Sequence, residues 1–140
     1  MPMKCFYCEK NEQLFALMTP LIELQYTNVY LFNDQKHLGR CVVALKDHCT
    51  EIYELSEEQR NGFFSEVSLV SHAIASFTKA DKINYAIYGD LVSHFHIHLV
   101  PKHKDGLQWG VPFTDTIPKV TLNAEQFRAV GEGILHELQM

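Results

Sequence analysis

Hydrophobic and polar positions alternate most strictly over residues 93–100, where His94, His96 and His98 are separated by Phe95 and Ile97 and followed by Leu99. Alternation of period two marks a strand, so the three imidazoles share one face and the apolar residues point to the other, toward the core. Pro101 closes the run. Residues 82–88 alternate in the same way until Gly89-Asp90 interrupts them, which predicts a second strand paired with the first. Upstream, the β-branched and aromatic run 27–32 and the run 40–45 flank NDQKHLG, whose turn chemistry predicts an antiparallel hairpin. Between these pairs the period changes. Ser56 and Gln59 form a capping-box signature, and Phe63, Phe64, Val67, Val70, Ile74 and Phe77 follow at helical spacing to about Lys79, a stripe that predicts a core-facing helix. Asn123 with Gln126 opens a last amphipathic helix that runs to about Leu138. The order strands, long helix, strands, short helix predicts an α+β fold: one antiparallel sheet of about five strands, with the long helix and the C-terminal helix packed on one face.

No internal repeat or Pro/Gly-rich linker interrupts the chain, so residues 1–140 are expected to form one domain. Its parts are an N-terminal segment, 1–12, carrying a CxxC pair; a core, about 20–101, carrying the histidines; and a C-terminal loop and helix, 102–140. Composition changes this picture little, but charge narrows it. A formal net charge of −5 without any Lys/Arg cluster argues against a nucleic-acid or anionic-membrane footprint. The N-terminus has no apolar signal region and no stretch is long enough to span a membrane, so a cytoplasmic protein is expected. In that reducing compartment Cys5, Cys8, Cys41 and Cys49 are read as metal ligands or free thiols in preference to disulfides. Cys41, inside a strand, reads as a small core residue.

Three histidines in strict alternation call for divided roles. Same-face Cα atoms on a strand lie about 6.6 Å apart, so His94 and His98 are separated by about 13 Å, too far to share one metal ion. A solvated polar face is the plain alternative. A metal-binding His-x-His pair in a cupin-type barrel is another, but it leaves one histidine idle. An imidazole can instead attack phosphorus, since its Nε2 is a good nucleophile near neutral pH and the phosphoryl-imidazolium it forms is activated toward hydrolysis.

The run His94-Phe95-His96-Ile97-His98-Leu99-Val100 resembles the signature of the histidine triad family of nucleotide hydrolases and transferases. GRCVVALKDHCTEIYELS, residues 39–56, is similar to the family's strand and following turn, and CFYC near the start resembles its zinc-bearing branch. The resemblance implies a HIT-like fold, a nucleotide substrate and a covalent nucleotidyl-histidine on His96 at the α-phosphorus, its Nδ1–H held by a main-chain carbonyl of the same strand. His98 is implied to hydrogen-bond the phosphate and assist the leaving group. No catalytic metal is implied, and a homodimer is, by extension of the sheet across a two-fold axis.

Cys5 and Cys8 have the spacing of half a tetrahedral zinc site, a redox pair or unused thiols being the alternatives. The resemblance implies His48 and His94 as the other two ligands of a structural zinc, with Cys49 a competitor beside His48. Four further residues follow from comparison with the family's pattern. Asp34, or its neighbour Asn33, resembles the acceptor of the ribose hydroxyls. Arg40 stands where family members often carry histidine, and either offers charge to a phosphate or caps its strand in solvent. Asp90, followed by Leu91, stands where a polar pair meets the scissile bridge; it could repel a phosphate, hold His96 or His98 as imidazolium, or be a plain turn residue. Asn84 either lines the cleft or is structural. Trp109 has no assigned role.

Overall fold

The computed structural model describes residues 5–139; the first four residues of segment 1–12 and Met140 of the C-terminal region lie outside the described residues. Five strands form one antiparallel sheet in the order β1-β2-β3-β5-β4: β1 Met18–Glu23, β2 Thr27–Phe32, β3 Cys41–Leu45, β4 Lys82–Ala86 and β5 His96–Lys102. Helices α1 Phe6–Glu9 and α2 Glu12–Leu17 precede the sheet, α3 Glu57–Thr78 connects β3 to β4, and α4 Ala124–Leu138 ends the chain. The fold is the expected α+β arrangement. Both capping boxes form, Ser56 with Gln59 before α3 and Asn123 with Gln126 before α4.

The β2–β3 hairpin delivers residue 40 to the site. Gln35 braces its turn: its Nε2 donates to the Phe32 carbonyl at 2.7 Å, and its Oε1 accepts from the Gly39 N–H at 2.7 Å. Gly39 takes φ +96°, and a Cβ there would come within 2.7 Å of Thr78 Cγ2, so glycine satisfies both the backbone and the close approach of α3.

One face of the sheet packs on the long helices. Phe63, Val67, Val70 and Ile74 of α3 close over Phe95, Ile97 and Leu99, joined by Val130 and Ile134 of α4. The expectation of helices on one face holds for these two. The opposite face also needed cover, because it carries Tyr30, Val42 and Ala44 beside the histidines. Tyr7 of α1, Leu14 of α2 and Met18 bury them in a second cluster. Helices of four and six residues contain too few periodic positions to be recognised by pattern.

Three boundaries differ from expectation. β1 was not anticipated, and its mixed burial and Pro20 fit an edge strand that pairs with β2 alone. β4 stops at Ala86, short of Tyr88. β5 begins at His96 and continues through Pro101 to Lys102, because β3 pairs it only over residues 96–99 and the proline nitrogen has no ladder bond to make beyond that point.

Candidate active site and metal centre

The strand β5 faces Ala44 of β3 with His96 and Val42 with His98, which puts both rings on the sheet face opposite α3. His96 is 6% exposed, not spread on a solvent face, and its ring centroid lies 5.0 Å from that of Tyr7, the two rings tilted by 36°. Its Nδ1 lies 2.6 Å from the His94 carbonyl oxygen. A carbonyl only accepts, so Nδ1 carries the hydrogen and Nε2 holds the free lone pair. Burial lowers the His96 pKa, which keeps that lone pair available near neutral pH.

His98 is constrained from the other side. Its Nδ1 lies 3.1 Å from an Arg40 guanidinium nitrogen, and its ring centroid is 5.2 Å from that of His96. Both rings line a cavity of about 420 Å³ together with Phe32, Arg40, Asp90 and Asp115. Desolvation first, then the Arg40 charge, push the His98 pKa down from 6.5 to about 3. The unfolded chain therefore binds this proton before the folded one does, and stability is lost as pH falls from about 6.5 toward about 3. A His98→Gln variant is expected to lose less stability than the natural sequence between pH 7 and pH 5, read from urea unfolding at the two pH values; equal losses would contradict the shift.

Arg40 does not cap its strand in solvent: it is 1% exposed, the largest fully buried side chain of the described residues. Its guanidinium carbon lies 4.1 Å from the Phe32 ring centroid and 4.9 Å from that of Phe113, and a terminal nitrogen donates to Asp115 at 2.9 Å. Cation–π contact and an ion pair offset the cost of burying its charge.

The histidine at 94 points elsewhere. Its Nε2–H donates to the Leu45 carbonyl at 2.6 Å, leaving Nδ1 free, and that nitrogen lies 3.3 Å from Cys5 Sγ, 3.5 Å from Cys8 Sγ and 3.1 Å from His48 Nδ1. The four ligand atoms are all within 4.8 Å of one another. Tetrahedral coordination at bond lengths near 2.1 Å to nitrogen and 2.3 Å to sulfur places ligand atoms about 3.4 to 3.8 Å apart, so Cys5, Cys8, His48 and His94 can hold a metal ion with little movement. The Leu45 carbonyl is the outer partner that fixes the ligating nitrogen of His94. Cys49 is not in the group, and Cys41 is fully buried in the core.

The remaining candidates are dispersed. Asp34 lies beside this cavity, in an adjoining hollow of about 690 Å³ that also reaches Phe32 and Asp115. Its Oδ1 accepts from the Val120 and Lys36 N–H groups, and its Oδ2 pairs with the Lys36 ammonium at 3.0 Å. Asn33 shares that hollow, but its side chain is bonded to Thr19 and to the Phe15 carbonyl. Asn84 and Trp109 line a third hollow along β4, apart from the triad cavity. Asp90 stands exposed at the mouth of the triad cavity and, among the described residues, makes no hydrogen bond to His96 or His98. Two contributors had no usable signal in the sequence. Tyr7 is a spacer inside CxxC, and Asp115 is one acid in an irregular segment, brought to Arg40 only by the path of the chain between β5 and α4.

An open five-stranded antiparallel sheet, backed by a long helix and presenting three imidazoles from the entry of one inner strand, defines a histidine triad fold and excludes the closed barrel of a cupin. The sequence model of the HIT domain matches residues 21–105, from β1 to just past β5, and the chain belongs to the HIT family. It is similar to an adenosine 5'-monophosphoramidase of Schizosaccharomyces pombe, 28% identical over 102 residues, which cover 72% of this chain and 74% of that one. Among solved structures it resembles a histidine triad protein of Bradyrhizobium japonicum at TM-score 0.84 and 22% identity, covering 91% and 96% of the two chains. A Zn-bound histidine triad family protein of Mycobacterium smegmatis superposes at TM-score 0.70 with 20% identity, over 96% and 95%.

Proposed function

We propose that the chain is a HIT-type nucleotide hydrolase that acts at the α-phosphorus of a nucleoside phosphoramidate or dinucleoside polyphosphate through a nucleotidyl intermediate on His96. The observation that carries this reading is the His94 carbonyl at 2.6 Å from His96 Nδ1, which leaves Nε2 as the attacking atom on the cavity side. The Nε2–P bond forms as the bond from phosphorus to the leaving nitrogen or oxygen breaks, and the departing group keeps the electron pair. Positive charge then resides on the His96 ring, where the same carbonyl stabilises it. His98, neutral, donates its Nε2–H as a hydrogen bond to the phosphoryl oxygen and the departing atom, and the leaving group takes its proton from solvent. Water then attacks phosphorus, gives its proton to solvent and releases the His96 imidazole; a second nucleophile in place of water would make the step a transfer.

The relative's activity on an adenosine 5'-monophosphoramide supports the substrate class, and the 28% identity leaves the base open. The hollow beside Asp34 suits the nucleoside, with Oδ2 of Asp34, already held by the Lys36 ammonium, the acceptor for a ribose hydroxyl. Asp90 at the solvated mouth meets water-screened phosphate, so its repulsion is small. Asn84 has no place in this reading. The group Cys5, Cys8, His48 and His94 is assigned to a structural zinc, because mixed thiolate and imidazole ligands in a closed set suit that ion. Release of AMP from adenosine 5'-monophosphoramidate by the natural sequence and by His96→Ala tests the reading; equal, negligible rates would leave only a nucleotide-binding scaffold.

A homodimer is also proposed, through the open edge of β4, where Tyr85 is 53% exposed and Ile87 and Tyr88 follow it. Sedimentation at micromolar concentration should give twice the chain mass, and Tyr85→Lys should shift it to monomer; a monomer in both cases would refute the interface.

A further inference from the structure

The two cavity-facing histidines are held by partners of opposite kind. His96 Nδ1 meets a carbonyl, which can only accept, whereas His98 Nδ1 meets the Arg40 guanidinium at 3.1 Å, which can only donate. Neighbouring rings on one strand are therefore in opposite tautomers: His96 has its hydrogen on Nδ1, and a neutral His98 has its hydrogen on Nε2. Nothing about a strand requires this. It depends on what stands beside position 98, and in this chain that is a permanently charged side chain brought by the β2–β3 turn.

Arg40 is locked for the task. Its guanidinium carbon is in contact with the rings of both Phe32 and Phe113, and its second terminal nitrogen donates to Asp115 at 2.9 Å. Asp115 comes from the segment after β5 and is 60% exposed, so it balances the Arg40 charge from the solvent side of the cavity. With one terminal nitrogen on Asp115 and the other on His98, and with Nε buried and unpartnered, two polar contacts fix the orientation of the guanidinium.

We infer that Arg40, anchored by Asp115, is a positioning residue that fixes His98 in the Nε2–H tautomer and so makes it the hydrogen-bond donor to the reacting phosphoryl group. This rests on the hydrolase reading for its consequence, but not for its geometry. An imidazole in the other tautomer would present a lone pair to the phosphate oxygens and would repel them instead of donating.

The test is nitrogen NMR of the imidazole side chains in the full, metal-loaded chain, with His98→Gln assigning the His98 signals, alongside steady-state kinetics on adenosine 5'-monophosphoramidate. In the natural sequence, at pH 7, His98 should show a protonated Nε2 and a bare Nδ1. In Arg40→Met the preference should be lost, and kcat should fall by about 10- to 100-fold with KM changed little, as when the partner that orients a functional imidazole is removed. Arg40→Lys, which restores a donor, should recover part of both. A natural protein with the His98 hydrogen on Nδ1, or a folded Arg40→Met with unchanged tautomer and rate, would overturn the inference. Should Arg40→Met not fold, the spectrum of the natural protein decides. Failure of the hydrolase reading looks different: no AMP is released by any form, while the tautomers remain measurable.

Discussion

His96→Ala is expected to lower kcat for AMP release by about 10⁴-fold or more, the scale on which removal of an activated nucleophile acts. Nucleotide binding should change little, because the variant removes a ring that touches the phosphorus only along the reaction path, while the hollow beside Asp34 stays intact. Two features single out this ring among the chain's histidines. The His94 carbonyl commits its Nδ1, and its Nε2 is left toward the cavity that His98 and Arg40 share. His94 cannot substitute, since its Nε2 is bonded to Leu45 and its Nδ1 is turned to the cysteines. His98 cannot either, since its free nitrogen carries a hydrogen. Quenching the natural enzyme during turnover should yield a nucleotidyl adduct that proteolysis and mass spectrometry map to His96. A His96→Ala chain that releases AMP at the natural rate would sink both the covalent route and the assignment of this ring; an adduct on His98 would sink the assignment alone.

The parts of this site that were legible in the sequence are those written in local periodicity. Alternation from 93 to 100 put Phe95, Ile97 and Leu99 into the core and the histidines together on the other face, and the long stripe of α3 identified its partner. The metal group was legible through spacing plus family resemblance, and the fold brings Cys5, Cys8, His48 and His94 to one point. What periodicity could not carry was the cover. Tyr7 and Leu14 sit on helices too short to show a repeat, and they roof the histidine face, so His94 and His96 are buried instead of lining an open cleft. For a similar reason, periodicity could not choose between the two readings of Arg40, a charge offered to a phosphate or a cap in solvent. An arginine at a strand start is usually solvated, and only the return of Phe113 and Asp115 from a segment 73 to 75 residues away makes its burial affordable. Asn84 is on the same face of the sheet as the histidines but stands on the outer strand, and it lines a hollow with Trp109 apart from the triad cavity.

Removing the proposed zinc ion, by a strong chelator or by Cys8→Ser, is expected to lower the melting temperature by about 10 °C or more, since a structural zinc contributes several kcal/mol where it is bound and a chain of this length loses a few degrees per kcal/mol. The loss should be concentrated at the N-terminal segment. Helices α1 and α2 are too short to persist alone; α2 is tied to the sheet by Leu14 and by Asn33, which bonds the Phe15 and Leu17 carbonyls, whereas α1 is held by Tyr7 and through Cys5 and Cys8. Without a cation the cluster is also unfavourable: desolvation and the neighbouring Cys5 push the Cys8 thiol up to about 11, so a thiolate there needs a metal to form near neutral pH. Activity should fall with stability, although no ligand touches substrate. His94 is shared: its ring belongs to the metal group, and its carbonyl oxygen orients His96. Releasing the ring frees residue 94, loosens the 2.6 Å contact and lets His96 sample its other tautomer, while Tyr7 lifts from its face. The expected signature is lower kcat with a smaller change in KM, restored by zinc added to the chelated natural sequence and not to Cys8→Ser. Metal content measured by mass spectrometry sets the test. Equal metal and equal melting in Cys8→Ser would remove the centre from this structure, whereas loss of metal with unchanged kcat would show that the backbone of residue 94 holds the nucleophile without help from its ring.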